Sequence, residues 1–132
     1  MDASILTTSL KTTRPPFLIL TPVCLLVGFA ASGYAPQFHS DLVWVVIGAL
    51  LAHISVNMLN EYQDFQSGLD LATNRTPFSG GSGGLPSNPQ AARWVLAGAI
   101  ASLLGVVVIG MYLALAYPML WFLGATGILL VV

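Results

Sequence analysis

The chain has 132 residues, 56% of them hydrophobic and only 7% charged, with a formal net charge of −1. A water-soluble domain carries about 25% charged residues, so this composition excludes an ordinary soluble enzyme and points to a protein dissolved in lipid. The near-zero charge offers no basic surface to nucleic acid. A single cysteine, Cys24, excludes an internal disulfide and any cysteine-based metal site, and its place in an apolar run predicts a packing role.

Residues 1–14 are polar, rich in Thr and Ser, with Lys11 and Arg14 just before the first apolar run. That run, residues 16–34, has about 19 residues, a spanning length that argues against a cleaved signal peptide. Pro15 and Pro16 suit the start of a helix, whereas Pro22 inside it is expected to break one backbone bond and kink it. The link 35–41 carries Pro36, His39 and Asp41 and reads as a turn outside the bilayer. A second span covers 42–59, with Trp44 near its start as an interfacial anchor. Residues 60–93 form a polar loop, closed by Ser87-Asn88-Pro89 as a cap for the next helix.

The third span covers 94–116, where Gly98 and Gly105 permit close helix contact. After Tyr117-Pro118 the run 119–132 is apolar but only about 14 residues long, short of the roughly 20 that a span needs. The expectation is an all-α, multi-spanning transmembrane helical bundle: three full spans and part of a fourth, forming the N-terminal portion of one larger domain. Lys11 and Arg14 precede span one, and Arg75 and Arg93 lie between spans two and three. The positive-inside rule therefore puts the N-terminus and the polar loop on the cytoplasmic side of an inner or plasma membrane.

Residues 57–70, Asn-Met-Leu-Asn-Glu-Tyr-Gln-Asp-Phe-Gln-Ser-Gly-Leu-Asp, hold three of the five acidic residues. On a helix, His53, Asn57, Asn60 and Asp64 fall at steps of four, three and four, a polar stripe with Glu61 beside it. Carboxylates at a helix C-terminus meet the negative end of its dipole, and Glu61 repels Asp64 three residues on. A hard divalent cation such as Mg²⁺ would relieve both costs with oxygen ligands. The residues alone leave this reading beside a plainer one, a solvated helix end. His53 reads as a packing residue or the lining of a polar chamber; Tyr62 and Phe65 read as packing or as faces toward a cation. Arg75 can grip phosphate oxygens in bidentate fashion. The run Gly80-Gly81-Ser82-Gly83-Gly84 can present backbone N–H groups to an anion, or serve as a flexible linker.

The segment Asn60-Glu-Tyr-Gln-Asp-Phe-Gln-Ser-Gly-Leu-Asp70, followed by Arg75-Thr-Pro-Phe-Ser-Gly-Gly-Ser-Gly, resembles the first aspartate-rich motif of the UbiA superfamily of intramembrane prenyltransferases. Gly68, Asp70 and the Arg-Thr-Pro-Phe-Ser-Gly-Gly-Ser-Gly continuation look most like the menaquinone-pathway branch, which prenylates dihydroxynaphthoate. The resemblance implies a helical bundle open to lipid that joins a polyprenyl diphosphate to an aromatic acceptor, with Mg²⁺ bridging the diphosphate. It implies catalytic roles for Asn60, Asp64 and Asp70, with Glu61 added to these three as metal ligands. Asn57, Arg75, Ser79, Gly80 and Gly81 would bind the diphosphate. Glu61 stands where aspartate is commoner, and Gly68 where a shorter variant of the motif has an acid. The family's second acidic motif has no counterpart, because no acidic residue follows Asp70. The 132-residue chain alone is therefore expected to be inactive. Rival readings are a fragment of a membrane transporter or channel, and a non-catalytic membrane subunit.

Overall fold

The computed structural model describes residues 2–33, 40–74, 76 and 80–131. Among these the chain is all-helical: α1 (Ala3–Thr12), α2 (Leu20–Ala31), α3 (Ser40–Ser67), α4 (Leu69–Ala72), α5 (Gly84–Ser87), α6 (Ala92–Ala116) and α7 (Leu120–Val131). Short 3₁₀ turns at Pro15–Phe17 and Pro89–Ala91 precede α2 and α6. Three stretches, Ala3–Ala31, Asp41–Ser67 and Pro89–Ala116, are long and apolar enough to cross a membrane.

Local chemistry sets the breaks. Arg14 adopts a left-handed backbone (φ 52°) because the following Pro15 disfavours a right-handed helical residue before it, and α1 ends there. The first span is accordingly not one helix over 16–34. Its regular part starts at Leu20, after a 3₁₀ turn. Pro22 then lies in the first turn of α2, where helix N–H groups lack partners anyway, so the expected mid-helix break does not arise. Residues 34–39 of the expected turn lie outside the described residues.

Helix α3 has 28 residues, about 42 Å at 1.5 Å per residue. No glycine or proline interrupts it after Gly48, so it runs on past residue 59, and 60–67 are helix rather than loop. Gly68 stops it with φ +78°, a left-handed position where a glycine carries no Cβ penalty. The expected Asn88 side-chain cap is absent; its amide instead donates to Thr8 Oγ1 at 3.3 Å, and Pro89 opens the turn into α6.

The main contact is the antiparallel pair α3–α6. Leu51 Cδ1 lies 2.9 Å from where a Cβ would stand on Gly105, and Met58 Cε lies 2.6 Å from the same point on Gly98. Ser55 Oγ donates to the Ala99 carbonyl at 3.0 Å, so a small residue and a back-bonded hydroxyl fit between the helices. Met58, Val95, Ala99, Ala91 and Leu85 form the buried core at one end of this pair. At the other end Tyr117 donates to Asp41 Oδ2 at 3.1 Å, and Trp44 meets Tyr112 edge-on at 6.1 Å.

Polarity is distributed as lipid would require. Thr8, Thr12, Ser55, Asn57, Glu61 and Asp70 are buried, while Phe122, Leu129 and Leu130 are more than 80% exposed. An apolar surface on this scale suits hydrocarbon rather than water. Cys24 is exposed on α2, not packed as its sequence context predicts; an outward-facing helix side there is as apolar as an inward one.

Gly98→Leu should force α3 and α6 apart, because Met58 already occupies the space. We expect a loss of about 1–3 kcal/mol, the usual cost of overpacking. Gly110 has nothing within 4 Å of its Cβ position. Gly110→Leu should be neutral or slightly stabilising, and denaturant unfolding in detergent micelles compares the two.

Candidate functional site

One face of α3, at strict steps of four, is committed to the N-terminal segment. His53 Nδ1 shares a hydrogen bond with Thr21 Oγ1 at 2.8 Å. Asn57 Nδ2 donates to the Thr13 carbonyl at 2.9 Å. Glu61 accepts from Arg14, whose Nε and Nη2 both lie 2.8 Å from Oε1. The seam is therefore 53-57-61, not the expected 53-57-60-64. Asn60 is exposed and Asp64 half-buried to one side of it.

Glu61 is fully buried, and its second set of partners comes from the glycine run. The Ser82 backbone N–H donates to Oε1, and Ser82 Oγ donates to Oε2 at 2.8 Å. The run can present Ser82 this way because Gly80, Gly81 and Gly83 all take positive φ, at 86°, 72° and 69°. At Gly81 even a methyl group would not fit: a Cβ would lie 2.6 Å from Asp70 Oδ1 and 3.3 Å from Glu61 Oε1. The loop backbone thus closes on the carboxylates of α3 and α4 together. Gly84 continues the contact, with Thr8 Cγ2 and Thr12 Cγ2 at 3.3 and 3.5 Å from its Cβ position. The N-terminal segment and the glycine run therefore share one end of the α3–α6 pair.

A cleft of about 510 Å³ opens beside this junction. Its lining mixes polar and cationic residues, Lys11, Arg14, Thr76 and Ser82, with apolar ones, Leu10, Pro15, Pro16 and Phe17.

Of the residues singled out from the sequence, Glu61, Asp70, Gly80 and Gly81 come together here. Arg75 and Ser79 lie outside the described residues. Two of the assigned residues are engaged by the protein itself. Asn57 Nδ2 donates to the Thr13 carbonyl of the N-terminal segment. Glu61 has both oxygens engaged by Arg14 and Ser82, so it is a buried ion-pair partner in this structure and not an open metal ligand. The physical reason is its depth: a carboxylate with no exposed surface must be paired and hydrogen-bonded.

Among the described residues no group of three His, Cys, Asp or Glu side chains converges as a metal cage. Mg²⁺ needs no such cage, since one or two carboxylates, water and substrate phosphate complete its shell. The Asp64 and Asp70 carboxylates and the Asn60 amide oxygen are hard oxygen donors of the kind that Mg²⁺ takes. Lys11, Arg14 and Ser82 are the residues that sequence reasoning missed as site components. The available signal was the acidic residue on an apolar helix, which demands a cation, with Arg14 one of only four in the chain.

No protein family, no characterised protein and no solved structure matches the chain.

Gly68→Ala and Gly81→Ala separate backbone from contact effects. Gly68 has positive φ but nothing within 4 Å of its Cβ position, so alanine there should cost about 1–2 kcal/mol of left-handed strain. Gly81→Ala carries the same strain and also meets Asp70. Its loss should be larger by about 1–3 kcal/mol, read from unfolding midpoints.

Proposed function

We propose that the chain is part of a Mg²⁺-dependent intramembrane prenyltransferase that moves a polyprenyl group from its diphosphate to an aromatic acceptor such as dihydroxynaphthoate. The observation that supports this reading is the cleft, whose lining combines Lys11, Arg14, Gly81 and Ser82 with Leu10, Pro15, Pro16 and Phe17. A diphosphate head would lie near the cations and the first isoprene units against Pro15, Pro16 and Phe17. A transporter needs no such pairing of anion-binding and apolar lining.

Within this reading, Lys11 would bind and orient the diphosphate, while the Ser82 and Gly84 N–H groups stay with Glu61 and Ser82 Oγ. Asn60, Asp64 and Asp70 would hold Mg²⁺, with Arg75 and Ser79 as further diphosphate contacts. The metal, when bound, neutralises charge on the departing diphosphate. The N-terminus and the loop would face the cytoplasm, in keeping with the basic residues that both carry.

The chain in lipid nanodiscs should bind a polyprenyl diphosphate with an affinity that rises on adding Mg²⁺. Asp64→Asn should remove that metal dependence and weaken binding about tenfold, roughly 1.4 kcal/mol. Lys11→Gln should weaken binding with or without metal. In membranes that transfer labelled prenyl groups to dihydroxynaphthoate, Asp64→Asn should lower the rate by orders of magnitude. Equal affinities for wild type and both variants would overturn the reading.

A further inference from the structure

The junction of Glu61, Arg14 and Ser82 joins three separate parts of the chain at one buried carboxylate. Arg14 belongs to the break between α1 and α2, Glu61 to α3, and Ser82 to the glycine run. Both Glu61 oxygens accept hydrogen bonds, Oε1 from Arg14 and the Ser82 N–H, Oε2 from Ser82 Oγ. Ser82 Oγ in turn accepts from the Gly84 N–H at 3.1 Å, so the same hydroxyl shapes the start of α5. One residue before Ser82, Gly81 lies against Asp70. The position of the loop over Asp70 is thus fixed by what holds its neighbour.

We propose that Glu61 and Arg14 are positioning residues: their ion pair holds the glycine run down on Asp70 and makes the N-terminal segment a working part of the site. Glu61 acts through Ser82 and does not itself ligate metal. The consequence for diphosphate binding rests on the function proposed above; the positioning of the loop does not. The cleft wall offered to a ligand is built from both sides of the junction, Lys11 and Arg14 from one segment and Gly81 and Ser82 from the other. Breaking the junction should therefore misalign the wall without removing any ligand-facing group of the loop.

Hydrogen–deuterium exchange on the full chain in nanodiscs, without Mg²⁺ or phosphate, tests the positioning directly. Glu61→Gln and Arg14→Gln should each speed exchange at the Ser82 and Gly84 amides about tenfold. The double variant should go little further, because both changes break one junction. Arg14→Lys, which keeps the charge, should recover most of the protection. Ser82→Ala leaves the ion pair intact, and should speed loop exchange several-fold while leaving the α3–α6 amides near Ala99 unchanged. Should Glu61→Gln unfold the whole chain, Arg14→Gln decides, and unchanged loop protection in it overturns the proposal.

Affinity for inorganic diphosphate with Mg²⁺ supplies the second readout. Glu61→Gln should weaken it, and Arg14→Gln, which also removes a cation lining the cleft, at least as much, with Arg14→Lys close to wild type. A loss confined to Glu61→Gln, with loop exchange unaltered in metal-free protein, would make Glu61 a metal ligand and overturn the proposal. If wild type binds no diphosphate but loop exchange changes as described, the positioning role stands and the reading of the cleft falls.

Discussion

A carboxylate with no exposed surface is the constraint on which the functional end of this molecule depends. Removing one partner of a buried ion pair typically costs about 3–5 kcal/mol, because the remaining charge is left without compensation. Glu61 therefore cannot occupy its place on α3 unless Arg14 and Ser82 reach it. Arg14 reaches it from a left-handed backbone conformation that costs about 1–3 kcal/mol, a strain held by the surrounding contacts. Ser82 reaches it from a loop whose glycines allow positive φ on both sides. One strained backbone geometry, one that only glycine permits and one buried charge thus explain one another.

The length of α3 explains how such a charge coexists with an apolar helix. A hydrocarbon layer of about 30 Å takes up roughly 20 residues of a helix. A helix of 28 residues is about eight longer than such a layer needs. The apolar part, from Leu42 onward, meets α6 through Gly48, Leu51, Ser55 and Met58. The polar C-terminal part carries Asn60, Glu61 and Asp64. Asn57 lies between the two regimes, and its amide is spent on the Thr13 carbonyl, an orphan group at the end of α1. The face that ties the N-terminal segment to α3 is polar for its whole length, from His53 to Glu61, while the face toward α6 is packed with small and apolar side chains.

How much of this was legible depends on the range of the interaction. The two apolar spans were readable from local composition, and Gly98 and Gly105 marked a face for close helix contact without naming its partner. The polar spacing of the motif was local as well, but the helix was expected to end near residue 59 and instead runs on to Ser67. Helix α1 was not readable, since its polar Thr8 and Thr12 turn inward and its Leu6 and Leu10 outward, the reverse of the pattern expected in water. The direction of the polar stripe was also missed. Periodicity sets which residues share a face, but Glu61 meets a partner 47 residues earlier, and no spacing rule within α3 encodes that. Arg14 carried a second signal that was read only as topology.

Charge accounting at the cleft then favours an anion over a bare cation as its occupant. Arg14 is neutralised by Glu61 behind it, so Lys11 gives the wall its net positive charge among the described residues. Asp70 Oδ1 lies 2.6 Å from the point where a Cβ on Gly81 would stand, and Gly81 itself lines the cleft. A metal ion arriving alone would face Lys11 first and be repelled. In the proposed reading a diphosphate would be attracted by Lys11 and would bring metal-binding oxygens with it, so that the anion would come first and complete the cation site. That order suits a loop pinned by an ion pair of its own, whose position over Asp70 does not wait for metal.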